Sequence, residues 1–315
     1  MVRVSSKMNN WWDKQIQRAK VLDDQSHGSQ SLVKFYGRLL KSQKDVYDYL
    51  RGCDDWLPSG QIDTDLSVLC DGLSPLLDVV QIYGPEPLAV EAKCISQGAP
   101  GTLTELLIQY WNSPSDVQFF GKASLQPYLK WLAEAGGRPR GREPAMSDRQ
   151  CPFCGGNPQV SFLSNKETAA ESGNRDLICG TCLTSWEFRR VVCANCGEER
   201  PAKLGYFHSP EFDHVRIEAC DSCMHYIKGV DLTRLGHAVP LVEPADVIPD
   251  VRTENPFHRH RARSDDVHGD VPGPKRCRDL EADEARADHH GLLRDHTLGD
   301  QRLAVGERAQ VVDMR

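Results

Sequence analysis

The chain has 315 residues, a formal net charge of -7 and 26% charged residues, which leaves room for two domains and a tail. No apolar run approaches the roughly 18 residues of a transmembrane helix, so the sequence predicts no membrane insertion. The acidic balance argues against nucleic acid or an anionic membrane surface as a partner. The first residues lead into Asn and Trp rather than an apolar stretch, so no secretory signal is predicted.

Residues 1–135 are predicted to form a helical domain, because apolar residues recur there at helical spacing. The clearest apolar stripe consists of Leu32, Phe35, Tyr36, Leu39, Leu40, Val46, Tyr47 and Leu50. Ser74 before Pro75 predicts an N-cap followed by proline at the first helical position. Thr102 together with Glu105 predicts a capping box at the start of a later helix.

Two further features belong to this half of the chain. Cys53, Cys70 and Cys94 lack a second cysteine at metal-knuckle spacing, so they are interpreted as buried small hydrophobes. Residues 136–150 are predicted to be a solvated linker, because Gly, Pro and Arg crowd residues 136–144 and break the helical pattern.

Four Cys-x-x-Cys pairs organise the second half of the chain. They are Cys151/Cys154, Cys179/Cys182, Cys193/Cys196 and Cys220/Cys223. Two residues between the thiols let the backbone turn, so that both sulfurs face one ion. The gaps between successive pairs are 24, 10 and 23 residues. This long–short–long rhythm is typical of a duplicated four-cysteine module.

Sequential pairing predicts two metal sites. Site 1 consists of Cys151, Cys154, Cys179 and Cys182, and site 2 consists of Cys193, Cys196, Cys220 and Cys223. Crossed pairing between the two units is the alternative, but it would ignore the repeat. Gly155 and Gly197 follow the second thiol of their pairs, where glycine supplies the backbone angles of a tight knuckle.

Short strands are predicted between the pairs, at residues 159–163, 186–192, 203–207 and 214–219. Two knuckles joined by antiparallel strands make a rubredoxin-like or zinc-ribbon unit. The sequence therefore predicts an α+β chain, in which the helical domain precedes ribbons at residues 151–190 and 191–242. Each ribbon is too small to hold a core unaided, so bound metal would supply much of its folding free energy.

Residues 243–315 are predicted to form an atypical, disordered tail. From His258 onward there is no aromatic residue, and this stretch holds six of the eleven histidines. Such a composition buries too little apolar surface to fold alone. His289 and His290 lack metal-ligand spacing, and Cys277 is interpreted as a free thiol. A shifted or extended reading frame would also produce this composition.

The cysteine sites favour a protein that is not an enzyme and has no catalytic residues. Four thiolates leave no open position on a tetrahedral ion, and no nucleophile–base set or phosphate-binding glycine loop is recognised. A zinc ribbon that binds nucleic acid, or a general protein-interaction module, is the alternative. Residues 151–229 carry eight Lys/Arg against ten Asp/Glu, which gives no evident basic face. A thiol oxidoreductase would need a thioredoxin-like frame, which is not recognised.

The motifs around the pairs resemble the FdhE family, the accessory proteins of respiratory formate dehydrogenases. The segments that carry the resemblance are CPFCGGNP from Cys151, LICGTCLTSWEFRRVVCANCG from Leu177 and EACDSCMHYIK from Glu218. Trp186, Arg190 and the Tyr226-Ile-Lys run also keep their places relative to the pairs. The resemblance covers residues 15–242, and the chain departs after that from the acidic, Leu-rich end of the family.

The resemblance implies a cytoplasmic, non-catalytic maturation factor, and reduced thiols agree with that compartment. The implied partner is the catalytic subunit of a molybdenum-dependent formate dehydrogenase, bound before twin-arginine export. The resemblance also implies iron at rubredoxin-like sites formed by all eight knuckle cysteines. Spacing alone does not choose the metal, because an all-sulfur tetrahedral site suits zinc as well as iron. Nucleic acid is not expected as a partner, and self-association is left open.

Overall fold

A computed structural model describes residues 10–25, 30–53, 56–99, 101–115, 117–141, 145–164, 174–246 and 310–311. Most of the predicted tail, with Cys277, His289 and His290, lies outside these described residues.

Helices make up the first half of the chain, as predicted. They are α1 Asn10–Gln25, α2 Gln30–Gly52, α3 Ile62–Gly72, α4 Ser74–Tyr83, α5 Glu86–Gln97, α6 Thr102–Asn112 and α7 Phe119–Glu134. Helix α2 packs against α1, α4 and α7 and so lies at the centre of the domain. No described helix is by itself long and apolar enough to cross a membrane, although α3 and α4, bent by 55°, pass that test as a pair.

Both predicted helix starts are correct in place, but their caps differ. Helix α4 begins at Ser74 itself, with Leu73 as the cap residue, because α3 turns directly into α4 there. Helix α6 begins at Thr102, and its cap is Gly101 in a left-handed conformation at φ 99°. The Thr102 hydroxyl donates to Ala99 O at 2.8 Å, so the predicted capping box is absent.

The predicted linker is hydrogen-bonded to the helical domain, although Gly136, Arg138, Arg140 and Gly141 are exposed. The Arg140 N–H donates to Gly60 O at 2.7 Å, and Trp111 Nε1 donates to Arg140 O at 3.3 Å. Gly60 adopts φ 79°, and a Cβ there would lie 2.1 Å from Arg138 O, so a side chain cannot replace it. The backbone of residues 138–140 is therefore packed on the helical domain.

The isolated cysteines are less buried than predicted. Cys70 and Cys94 are half-buried within α3 and α5, and Cys53 is half-buried directly after the end of α2. The Cys53 thiol lies 3.4 Å from Tyr49 O, and the Cys70 thiol lies 3.6 Å from the Thr104 hydroxyl. Their separation from the knuckles agrees with their lack of a role in either site.

The second half of the chain forms a continuous sheet. Its strands are β1 Pro158–Ser164, β2 Asn174–Cys179, β3 Ser185–Phe188, β4 Leu204–His208, β5 Val215–Cys220, β6 His225–Asp231 and β7 Gln310–Val311. The strand order is β3-β2-β1-β6-β5-β4-β7, with 3₁₀ turns at Pro201–Lys203 and Pro210–Phe212 flanking β4.

A parallel pair joins the two four-cysteine units. Strand β1 of the first unit lies beside β6 of the second, in a register from Val160 opposite Lys228 to Leu163 opposite Asp231. Every other pair in the sheet is antiparallel. The predicted order of helical domain and two ribbons is confirmed, and the ribbons additionally share one sheet.

The first residues after the second unit pack against the helical domain. Helix α8, Glu243–Asp246, lies where the predicted tail begins. The Arg18 guanidinium of α1 donates to both carboxylate oxygens of Glu243, at 2.6 and 2.9 Å. His214 Nε2 lies 3.1 Å from the same carboxylate. Glu243 therefore connects the helical domain to the second unit.

Candidate metal centres

Site 1 brings four sulfurs together in the protein interior. Cys151 Sγ lies 3.5 Å from Cys182 Sγ, and Cys154 Sγ lies 3.5 Å from Cys179 Sγ. All four sulfurs lie within 4.8 Å of one another, and all four residues are buried.

Site 2 repeats this arrangement at the surface. Cys193 Sγ lies 3.7 Å from Cys223 Sγ, and Cys196 Sγ lies 3.7 Å from Cys220 Sγ. Cys196 is exposed and Cys223 is half-buried, whereas Cys193 and Cys220 are buried. The sequential pairing of the eight cysteines is thus the pairing found in space.

The sulfur separations fit a tetrahedral ion. Metal–sulfur bonds of about 2.3 Å give sulfur–sulfur edges of about 3.8 Å in a tetrahedron. The closest pairs, at 3.5 to 3.7 Å, lie just below that value, and a disulfide would need about 2.05 Å. All eight cysteines are free thiols, so each group can hold one metal ion.

The four knuckles share one backbone conformation. The residue after the second cysteine has a positive φ in each case: 72° at Gly155, 62° at Leu183, 79° at Gly197 and 57° at Met224. Each of these residues donates its N–H to the carbonyl of the first cysteine, at 2.8 to 3.2 Å. Glycine made two of these turns predictable, whereas Leu183 and Met224 adopt a conformation that side chains other than glycine rarely take.

Backbone amides also point at the sulfurs. The Thr181 N–H donates to Cys179 Sγ at 3.3 Å. In the second unit, the N–H groups of Asn195 and Cys196 donate to Cys193 Sγ at 3.4 Å. Such donors stabilise the thiolate form, which is the form that binds metal.

The helical domain forms one wall of site 1. The side chains packed in the same apolar cluster as its cysteines include Tyr110, Trp111, Leu125, Tyr128, Leu129 and Leu132. The Tyr110 hydroxyl lies 3.2 Å from the Thr181 hydroxyl, and Gln126 Nε2 donates to Gly180 O at 2.8 Å. Gln126 is in turn held by Gln43 of α2. Helices α2, α6 and α7 thus fix the Cys179/Cys182 knuckle.

Site 2 obtains the equivalent contact from its own unit. Ser222 occupies the knuckle position that Thr181 has in site 1, and its hydroxyl donates to Glu198 Oε2 at 2.5 Å. Arg200 donates to both oxygens of Glu198, at 2.9 and 2.7 Å. Hydrogen bonds from Arg200 and Ser222 lower the pKa of Glu198 well below its usual range. No helix of the first domain takes part in these contacts.

The thiols of each site perturb one another. Hydrogen bonds from Cys154, Cys179 and Cys182 lower the pKa of Cys151, while those same contacts raise the pKa of Cys154 and Cys182. Burial opposes ionisation of Cys179, but hydrogen bonds from Cys154 and Cys182 lower its pKa as well. Two thiolates can therefore be held by the two remaining protons, but ionisation of all four thiols needs a cation among them.

Site 2 shows the same division between its thiols. Burial raises the pKa of Cys220 to about 12. Burial also opposes ionisation of Cys223, but hydrogen bonds led by the Asn195 side chain and the His225 N–H lower its pKa to about 6.

Comparisons with known proteins agree with this geometry. The profile "FdhE, central domain" matches residues 150–190, which hold site 1. The FdhE homologue of Aquifex aeolicus is 33% identical over 172 residues, covering 54% of this chain and 59% of that protein. The FdhE homologue of Shewanella oneidensis is 26% identical over 189 residues, with 56% and 59% coverage. The resemblance to the FdhE family is confirmed.

A solved structure extends the comparison to the fold. The crystal structure of the FdhE protein from Pseudomonas aeruginosa matches with a TM-score of 0.54 and 19% identity, covering 80% of this chain and 92% of that one. At that identity the match establishes a common fold. The sequence matches to the curated FdhE homologues of Aquifex and Shewanella span about three fifths (59%) of their length.

Proposed function

We propose that this protein is a non-catalytic accessory factor for the maturation of a formate dehydrogenase. The observation that carries the proposal is a pair of closed four-cysteine centres built into a chain that resembles FdhE. The partner we propose is the catalytic subunit, bound in the cytoplasm before its export.

The chemistry of the sites supports a binding role over catalysis. Four sulfurs occupy every position of a tetrahedral ion, so such an ion has no place for a substrate or an activated water. The knuckle cysteines instead tie together the ends of distant segments, since Cys151 and Cys182 are 31 residues apart. Closing each unit in this way fixes the loops around it.

We further propose that both centres hold iron, with zinc as a substitute. The all-sulfur donor set accepts either metal, and iron would supply a one-electron couple that zinc lacks. The protein would hold either ion in the same way. Each site brings four thiolates together, and backbone N–H groups donate hydrogen bonds to the sulfurs of Cys179 and Cys193.

Metal identity is tested on protein purified without air. Elemental analysis should give two ions per chain, and an iron-loaded sample should show thiolate-to-iron charge-transfer absorption that bleaches on reduction. A colourless protein with two zinc ions would remove the iron proposal, while leaving the sites in place. A folded sample without metal would overturn both.

The partner is tested by affinity purification and by gene deletion. We expect the tagged protein to retain the formate dehydrogenase catalytic subunit, and the deletion strain to lose formate dehydrogenase activity with the subunit still synthesised. Cys196→Ser should fail to restore activity, whereas Cys70→Ser, which changes a thiol outside both sites, should restore it. Normal activity in the deletion strain would refute the accessory role.

A further inference from the structure

A large open cleft lies between helix α2 and the sheet. Its volume is about 1650 Å³, well above the roughly 300–1,000 Å³ typical of small-molecule pockets. One wall is the apolar face of α2, with Phe35, Tyr36 and Leu39, and the opposite wall includes residues 190–195 and 223–228. The size of the cleft suits a length of polypeptide better than a metabolite.

Exposed apolar side chains lie along the rim of this cleft. Val117, Val191, Met224 and Tyr226 line it with exposures of 88, 39, 41 and 39%. Several exposed apolar side chains on one concave surface are typical of a binding site, whereas single exposed apolar residues scattered over a surface are ordinary. Residues 190–195 and 223–228 also include Cys193 and Cys223, so site 2 forms part of the same rim.

The charge of the cleft is opposite to that of the chain. Among the described residues that line it, the basic ones are Lys122, Arg175, Arg190, Arg216 and Lys228, and the acidic one is Glu218. Glu218 lies between Arg175 and Arg216 and is neutralised by them, which lowers its pKa against the effect of burial. The chain as a whole has a formal charge of -7. The cleft is thus a basic, partly apolar surface in an acidic protein.

We propose that this cleft binds an extended peptide segment of the partner that combines apolar side chains with carboxylates. The exposed rim, together with the half-buried Tyr36 of α2, would take the apolar side chains. The exposed Arg190 and the half-buried Lys122 and Lys228 would face the carboxylates, since Arg175 and Arg216 already pair with Glu218. Nucleic acid would use the same positive charge, but the apolar α2 wall gives phosphates nothing to contact. The inference rests on the proposed function only for the identity of the partner.

Met224 gives this surface a feature that the metal site does not require. Gly155 and Gly197 make the same left-handed turn without a side chain, and the half-buried Leu183 packs against the buried cluster that contains Val160 and Ile178. Met224 holds the strained conformation at φ 57° with its thioether exposed at the rim. A strained residue that contributes little burial is often kept for a contact with a ligand, and the flexible Met side chain suits varied apolar partners.

The test measures binding of labelled peptides to the purified full-length, metal-loaded protein by fluorescence polarisation. Three peptides of about 12 residues, roughly 40 Å when extended, carry Leu at alternate positions with Glu, Gln or Lys between. We expect the Glu peptide to bind about tenfold more tightly than the Lys peptide, and the difference to shrink as salt is added.

Two variants locate the binding. Arg190→Glu should weaken the Glu peptide about fivefold. Arg189→Glu makes the same charge change one residue earlier, outside the cleft lining, and should have little effect. Met224→Gly should weaken all three peptides without changing metal content. Circular dichroism and metal analysis establish that each variant is folded.

Several results would overturn the inference. Equal binding of the Glu and Lys peptides, or equal effects of Arg189→Glu and Arg190→Glu, would show that the cleft does not select carboxylates. A labelled oligonucleotide that binds more tightly than the Glu peptide and is lost in Arg190→Glu would make the cleft a nucleic-acid surface. These results do not depend on any formate dehydrogenase. A failure of the co-purification experiment alone would therefore count against the proposed function and not against the cleft.

Discussion

The two candidate metal centres have the same knuckles but different surroundings. Site 1 is covered by the helical domain, whose cluster of Tyr, Trp and Leu side chains continues onto its cysteines. Site 2 has Cys196 at the surface and obtains its side-chain contacts from Glu198 and Arg200 of its own unit. The comparison shows that the same four-cysteine motif can have two structural roles. Site 1 joins the helical domain to the sheet, and site 2 shapes an exposed rim.

The largest expected effects on stability come from removing a cysteine of either site, and the two sites should differ in how much of the chain is destabilised. Cys151→Ser should remove the metal of site 1 and destabilise the whole chain by about 4 kcal/mol or more, because the site belongs to the core of the helical domain. Cys196→Ser should remove one metal while the helical domain stays folded. Metal analysis and thermal unfolding followed by helical circular dichroism measure both. Equal losses of stability in the two variants would show that the domain does not depend on site 1 more than on site 2.

The next prediction concerns the knuckle position that differs between the units. A Cβ at Gly156 would lie 2.9 Å from Cys179 Sγ and 2.8 Å from the Thr181 hydroxyl. Gly156→Ala should therefore distort site 1 and cost about 1–3 kcal/mol of stability. Glu198 occupies the equivalent place in the second unit and accommodates a full side chain.

Glu198→Ala is the matched control, because it removes the contacts of the corresponding residue with Ser222 and Arg200 but adds no clash. It should retain both metals and be destabilised less than Gly156→Ala. Retention of both metals at full affinity in Gly156→Ala would show that the knuckle relaxes around the added methyl group.

Features that depend on residues close together in the chain could be predicted from the sequence, whereas contacts between distant segments could not. The knuckles were predictable because the spacing of two thiols determines a local turn. Strand β2 was missed, since Arg175 and Asp176 occupy buried positions where apolar residues would be expected. The charge of Arg175 is matched by Glu218, which lies in the other unit.

The helical wall of site 1 and the parallel pairing of β1 with β6 were also not predicted. Gln126 reaches Gly180 across 54 residues, and Val160 lies opposite Lys228 from the other four-cysteine unit. The spacing of the cysteines predicts the fold of each four-cysteine unit. It does not predict which surfaces of the two units and the helical domain pack together, because local sequence patterns do not specify long-range contacts.

Acid should weaken the attachment of the second unit to the helical domain. That unit is tied to α1 through Glu243, which faces Arg18 and His214, with Asp213 beside the histidine. Burial alone would raise the pKa of Glu243, but the Arg18 guanidinium and the Val239 N–H hold it below its usual value. A carboxyl with a lowered folded-state pKa stabilises the protein above its unfolded pKa of about 4.3, and that contribution is lost as the pH falls through the folded value.

We expect Glu243→Gln to be less stable than the unaltered protein at neutral pH and to lose less stability below about pH 4. Thermal unfolding across pH, on samples whose metal content is checked at each point, measures the difference. Parallel pH profiles for the two proteins would show that Glu243 does not contribute through its charge.

The smallest effects are expected at the two turns that lack glycine, each of which belongs to the second knuckle of its unit. They test whether the two units use that knuckle differently. Glycine at either position relieves a left-handed conformation that costs about 1 kcal/mol for a side-chain residue. Leu183 is half-buried and packs against the cluster that contains Val160 and Ile178, so Leu183→Gly should lose more packing than it gains from relief of strain and should be destabilised by about 1 kcal/mol. Met224 is 41% exposed, so Met224→Gly should keep both metals and gain up to about 1 kcal/mol. Thermal unfolding measured side by side distinguishes them. A loss of stability at Met224 as large as that at Leu183 would mean that the thioether supports the fold, leaving the rim without a residue held there for binding.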